Sequence, residues 1–258
     1  MQQDVQQPTN AGQSKLKPCI LKPGNRVRHP QSIRWLSVSD AAFIFHALAF
    51  VFYVRIFLWH FQERAQQLPG AFGFGWFYRY LTFCSWNVQM IFLGLACLSK
   101  TSQVPSRQQW LAAWTDDLAC FGFGLAHCVT VMYYSVDRTT KLALQSSDMR
   151  PPWLGPTVHV LNTVVAWLDM LLAEQRTFSK RSRHISFGFT VAYALWVLVC
   201  AKVDGKFLYP FLNTYPFPQA FLATAAAGTI MLAIVFEFGK WLSWHVIRRQ
   251  AKESVKTD

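Results

Sequence analysis

Charge is scarce in this 258-residue chain. Asp, Glu, Lys and Arg together make up 15%, against about 25% in an ordinary soluble domain. Acid is scarcest, with 13 Asp and Glu against 25 Lys and Arg. A soluble globular body is therefore excluded as the main architecture. The six cysteines form no CxxC pair and no Cys/His spacing of a zinc site, so they read as small buried hydrophobes. No HExxH repeat joins the histidines, and neither a metal nor an organic cofactor is implied. Gly70, Gly73 and Gly75 follow no strand, which excludes a phosphate-binding loop and leaves a flexible connection. A cleavable signal peptide is missing, so the first apolar stretch is expected to act as an uncleaved anchor. Internal repeats and paired broken helices, the marks of a transporter, are missing too.

What is abundant is apolar sequence. Hydrophobic residues make up 52% and the mean hydropathy is +0.18. About 20 apolar residues cross a bilayer core of about 30 Å. Six stretches approach that length, near 39–59, 76–98, 110–136, 153–173, 185–203 and 219–245. The expectation is an all-α polytopic membrane protein, a bundle of about six transmembrane helices. A disordered basic tail is expected over 1–36, the six-span domain over 37–247 and a charged tail over 248–258.

The basic residues set an orientation. Sixteen Lys and Arg gather in the N-terminal tail, loops 99–109 and 174–184, and the C-terminal tail. Seven lie on the other side: Arg64, Arg79, Arg138, Lys141, Arg150, Lys202 and Lys206. The positive-inside rule then places both termini in the cytoplasm, in the endoplasmic reticulum or plasma membrane. Charge of this distribution belongs to membrane topology and not to a nucleic-acid partner.

This topology brings chemistry together. Spans 2 and 4 both begin on the non-cytoplasmic side, and Thr82 and His159 each lie about six residues, or about 9 Å, into their spans. A threonine hydroxyl needs a base to become a nucleophile, and a neutral imidazole is one. Threonine in a membrane helix also commonly bonds a backbone carbonyl, and histidine a polar neighbour. His127 lies at a depth suited to orienting a partner, whereas His46, Asp169 and Glu237 fall toward the opposite face. Asp169 is about 15 Å from His159 along the helix, too far for a direct bond. Glu237 is expected to pair with Lys240. Asp116 and Asp117 are expected to cap or solvate the start of span 3, and Gly122 and Gly124 to allow close helix packing.

Several segments in order resemble the androgen-induced gene one family. They are Tyr80-Leu81-Thr82-Phe83, Tyr134-Ser135-Val136-Asp137-Arg138, and Trp153-Leu154 followed by His159 and Asp169. Tyr193-Ala194-Leu195-Trp196-Val197 and Gly205-Lys206-Phe207-Leu208-Tyr209-Pro210-Phe211-Leu212 complete the set. The resemblance implies a membrane-embedded threonine hydrolase that cleaves fatty acid esters of hydroxy fatty acids, with Thr82 as nucleophile and His159 as base. Gly155-Pro156 stands where some members carry Asn-His, and a shifted register puts Asn162 at the histidine position. The ungapped register keeps His159 because it also aligns Asp169. Tyr209, Asn87 and Arg79 are the candidates for donors to the oxyanion or for substrate contact. The substrate is expected to enter from the surrounding membrane lipid. The alternative is a non-enzymatic multipass protein, a small transporter or scaffold.

Overall fold

The computed structural model describes residues 38–137, 151–172 and 176–257. The basic tail expected over 1–36 lies outside these residues, as do Arg138, Lys141 and Arg150. Every regular element among the described residues is helical. Five helices are long and apolar enough to cross a membrane. These are α1 (Val38–Trp59), α3 (Leu81–Thr101), α4 (Pro105–Met132), α7 (Lys180–Asp204) and α9 (Gln219–Thr257). A short α2 (Glu63–Gln66) follows α1, and a short α8 (Pro210–Thr214) precedes α9.

The fourth expected span differs from the expectation. It is a rod of three pieces: α5 (Leu154–Pro156), a π turn (Thr157–Leu161) and α6 (Asn162–Leu172). It does not count among the five long apolar helices. A π insertion in a helix commonly sits at a functional site. A second π turn, Tyr133–Asp137, ends α4.

Local signals place the other ends. Pro105 occupies the first turn of α4, where its missing N–H costs nothing. The Ser179 side chain accepts from the Ser182 N–H at 3.0 Å and starts α7. Gly205, at φ 71°, ends it in the left-handed region. Much of the basic loop expected over 174–184 is thus the first turn of α7, since a cap, and not the apolar run, fixes where the helix begins. The C-terminal tail expected from 248 likewise continues α9 to Thr257.

The central helix is α4, which packs against α3, α6, α7 and α9. Its apolar window is 56% buried, against 11% for α9. Residues on outer faces, such as Leu48, Val191 and Ile234, are exposed and suited to lipid. Gly124 permits close approach, because a Cβ there would lie 2.7 Å from a Leu232 methyl carbon. Asp116 and Asp117 do not serve the start of α4 as expected. Asp116 accepts from the Thr177 N–H at 3.1 Å, and Asp117 from the Ser179 hydroxyl at 2.7 Å and from Arg181. Together they hold the entry to α7. Glu237 pairs with Arg183 across helices, because α7 begins early enough to bring that side chain alongside α9.

The flexible loop expected around Gly70–Gly75 is instead an ordered plug with two 3-10 turns, Pro69–Ala71 and Trp76–Arg79. Arg79 organises it. Its guanidinium pairs with Asp204 at 2.6 Å and donates to the carbonyls of Phe72, Pro69 and Trp76. Gly73 and Gly75 have φ of 92° and 88°, a conformation that side chains resist. A single guanidinium that satisfies several turn carbonyls makes rigid what composition alone marks as loose.

Candidate functional site

The second 3-10 turn delays α3 until Leu81, so Thr82 lies in its first turn rather than six residues into a helix. This position puts the hydroxyl near the positive end of a 21-residue helix, a place that favours developing negative charge. The π turn carries His159 to the same point. Thr82 Oγ1 lies 3.4 Å from His159 Nδ1, a contact that joins residues 77 apart in sequence. It is long for a hydrogen bond but still within the reach expected before substrate binds.

Contacts from α4 hold the ring and the backbone of His159. Tyr133, the first residue of the other π turn, stacks on the imidazole with centroids 3.5 Å apart and planes at 9°. Thr130, one turn earlier on α4, donates its hydroxyl to the His159 carbonyl. Thr130 also meets the Thr163 hydroxyl at 2.7 Å, which ties α4 to α6. The two π turns therefore face each other across the site.

Thr82 and His159 line a cavity of about 120 Å³ whose walls are largely apolar: Phe77, Trp86, Val129 and Val158 are among them. Among the described residues, no Asp, Glu, Lys or Arg side chain lines it. Of the other site candidates, Tyr209 borders this cavity, while Arg79 and Asn87 do not. Arg79 is committed to the plug. The Asn87 side chain donates to the Phe83 carbonyl of its own helix at 2.8 Å. The structure thus brings together Thr82, His159 and Tyr209 and leaves the other two aside.

Tyr209 has a directed role in the hydrogen bonding. Burial pushes its phenol up to about 12, so it holds one proton near neutral pH. Tyr193 donates to the Arg79 carbonyl at 2.7 Å, and the two phenol oxygens are 3.0 Å apart. The proton of Tyr193 being spent on the carbonyl, Tyr209 is the donor to Tyr193. The Leu81 N–H in turn donates to the Tyr209 oxygen at 3.2 Å. In this arrangement Tyr209 satisfies a first-turn N–H of α3 and positions the helix that bears Thr82.

His60 lines the cavity and carries no signal in the sequence beyond its place just after the first span. Its Nδ1 donates to the Ile56 carbonyl at 2.8 Å, which leaves Nε2 as the acceptor nitrogen of the neutral ring. Burial holds its pKa below the ordinary histidine value, against the opposing effect of that hydrogen bond. Thr130 was equally illegible, and Tyr133, which the sequence places at the end of span 3 on the same side, gave no sign of its stacking on His159, since both roles depend on the π turns.

The remaining polar residues settle elsewhere. His127 donates from Nδ1 to the Phe123 carbonyl at 2.7 Å and packs on Trp167, away from the cavity. Asp169 accepts from Arg176 at 2.5 and 2.9 Å and meets His46 at 2.8 Å. Asn162, the alternative to His159, is fully buried in a different network with Tyr53, Gln89 and Ser85. Its side chain donates to Ser85 Oγ at 2.8 Å and does not border the cavity.

Comparison with known proteins gives two matches. A profile described as FAR-17a/AIG1-like protein matches residues 41–244. The human androgen-induced gene 1 protein is 25% identical over 216 residues, covering 75% of this chain and 88% of that protein. No solved structure matches the chain.

Proposed function

The chain belongs to the FAR-17a/AIG1-like family, and from that premise and the site geometry we propose that it is a membrane-embedded lipid ester hydrolase. Its substrates are fatty acid esters of hydroxy fatty acids, taken up from the surrounding bilayer. Both termini face the cytoplasm, in the endoplasmic reticulum or plasma membrane. The observation that carries the reading is the approach of Thr82 Oγ1 to His159 Nδ1, at 3.4 Å, on the wall of an apolar cavity.

His159 Nδ1 takes the Thr82 proton as Oγ1 bonds to the ester carbonyl carbon. The carbonyl π electrons move to oxygen and form the tetrahedral oxyanion. Its collapse breaks the bond to the alcohol oxygen, which receives the proton from His159. This releases the hydroxy fatty acid and leaves the acyl group on Thr82. Water then attacks the acyl carbon while His159 accepts a water proton. Collapse returns that proton to Thr82 Oγ1 and frees the fatty acid. The apolar walls keep charge-stabilising contacts strong, and the Tyr133 ring holds the imidazole plane during both proton transfers.

The test is labelling of detergent-solubilised protein with a fluorophosphonate probe, together with hydrolysis of a fatty acyl ester. Wild type should react. Thr82→Ala and His159→Ala, each still monodisperse and folded, should lose the reaction by about a hundredfold or more. Full ester hydrolysis by folded Thr82→Ala would overturn the proposal.

A further inference from the structure

The bundle encloses a second cavity of about 100 Å³, bounded by α4, α7, α8 and α9. Leu81, Met132, Tyr209 and Phe211 line both this cavity and the one at Thr82, so the two share a wall. Among the described residues, no charged side chain lines the second cavity. Its hydroxyl protons are committed, that of Tyr209 to the Tyr193 oxygen and the others to backbone carbonyls. Thr190 donates to Ser186 at 3.0 Å, Thr224 to Ala220 at 2.8 Å and Tyr193 to Arg79 at 2.7 Å. Groups bonded in this way present mainly methyl and ring carbon to the space. Such a lining suits hydrocarbon and offers little to water or a headgroup.

We propose that this second cavity receives the acyl chain of the ester attacked by Thr82, while the hydroxy-acid arm stays in the first cavity. The proposal rests on the hydrolase reading above and names how its site divides a branched substrate. Two observations assign the arms. The hydroxy-acid arm ends in a carboxylate; the first cavity is lined by the imidazoles of His60 and His159 and the phenols of Tyr80 and Tyr133, whereas the described lining of the second holds no titratable nitrogen and no uncommitted hydroxyl proton. Leu81, in the shared wall, is the neighbour of Thr82, so a carbonyl at the nucleophile lies beside the passage. Met132, unbranched and adaptable, is the part of that wall best able to move aside.

Ala225 and Gly228, one turn apart on α9, line the second cavity and not the first. A Cβ at Gly228 would stand 4.0 Å from Met132 Sδ, an ordinary contact. Larger side chains at these positions therefore extend into cavity space. They test the assignment without touching Thr82, His159 or the residues that hold them.

The experiment compares acetyl, octanoyl and palmitoyl esters of one hydroxystearic acid on wild type, Gly228→Leu and Ala225→Leu. In the wild type kcat/KM should rise with acyl length. In each filled variant the palmitoyl-to-acetyl ratio of kcat/KM should fall by about tenfold or more. A uniform loss, or no change in that ratio in either variant, overturns the assignment. A second readout needs no turnover: thermal stabilisation of Thr82→Ala by the matching non-hydrolysable ethers. It should grow with the length of the chain that replaces the acyl group, and adding Gly228→Leu should abolish that growth. If no ester is hydrolysed but this stabilisation behaves as stated, the hydrolase reading falls and the cavity assignment stands as binding. If hydrolysis proceeds and the ratio does not move, the cavity assignment falls alone. Failure of both overturns both.

Discussion

Replacing Arg79 by methionine separates a structural role from a catalytic one. The guanidinium is 8% exposed and makes an ion pair with Asp204, whose side chain is 16% exposed. It also serves three carbonyls of the plug. Breaking one partner of a buried pair costs about 3–5 kcal/mol. Asp204 keeps its bond from the Phe74 N–H at 2.9 Å and some access to water, which places the expected loss near the lower figure, about 3 kcal/mol. Pro69, Gly70 and Phe77 belong both to the plug and to the cavity wall. Loosening the plug should therefore raise KM and change kcat in the folded fraction by less than about tenfold. An oxyanion donor behaves differently, since its removal lowers kcat by about a hundredfold to a thousandfold. Lysine at this position keeps the charge near Asp204 but lacks the planar fork that serves several carbonyls, so Arg79→Lys should recover only part of the stability. The assays are thermal unfolding in detergent, followed by tryptophan fluorescence, and ester hydrolysis by the surviving folded protein. A variant of wild-type stability whose kcat has dropped about a hundredfold would refute the reasoning.

Two further outcomes are expected. Gly239→Ala places a Cβ within 2.4 and 2.6 Å of the Phe178 ring and 3.2 Å from Phe123, so thermal unfolding should show destabilisation of about 1–3 kcal/mol; an unchanged melting temperature would mean that the α9 contact is looser than this. His60 gives a pH dependence: its folded pKa lies below the ordinary 6.5 because burial disfavours the imidazolium. The unfolded chain therefore binds this proton first as pH falls, so stability is lost from about 6.5 downward until the lowered folded value is passed. His60→Gln should flatten that part of the stability profile, and a profile identical to the wild type would remove His60 as the cause.

The helical, membrane-spanning body was legible because bilayer thickness translates directly into apolar run length, and α1 and α3 ended close to where those runs end. Boundaries set by capping were harder to read. Ser179 starts α7 inside a basic stretch that composition assigns to a loop. The plug was illegible for a different reason: glycine-rich sequence signals flexibility, and its order comes from Arg79, which reaches carbonyls up to ten residues away and the carboxylate of Asp204, 125 residues on. Arg79 as a site candidate failed to reach the cavity for the same reason. Charge in a span marks importance but does not say for which neighbour.

Thr82 and His159 were named from sequence as a pair at one face of the membrane, and this much follows from helix direction and run length. Their 3.4 Å approach needed more. The 3-10 turn sets the start of α3, and the π turn that carries His159 sets its place on the span. Tyr133 and Thr130 then fix its ring and backbone from α4. Those features are short-range in energy yet join residues far apart in the chain, so no local pattern records them. Composition and hydropathy determined that the chain is a helical membrane bundle, because each span can satisfy its backbone within itself. Only the packed structure decided which polar side chains face one another across helices, because those partners lie far apart in the chain.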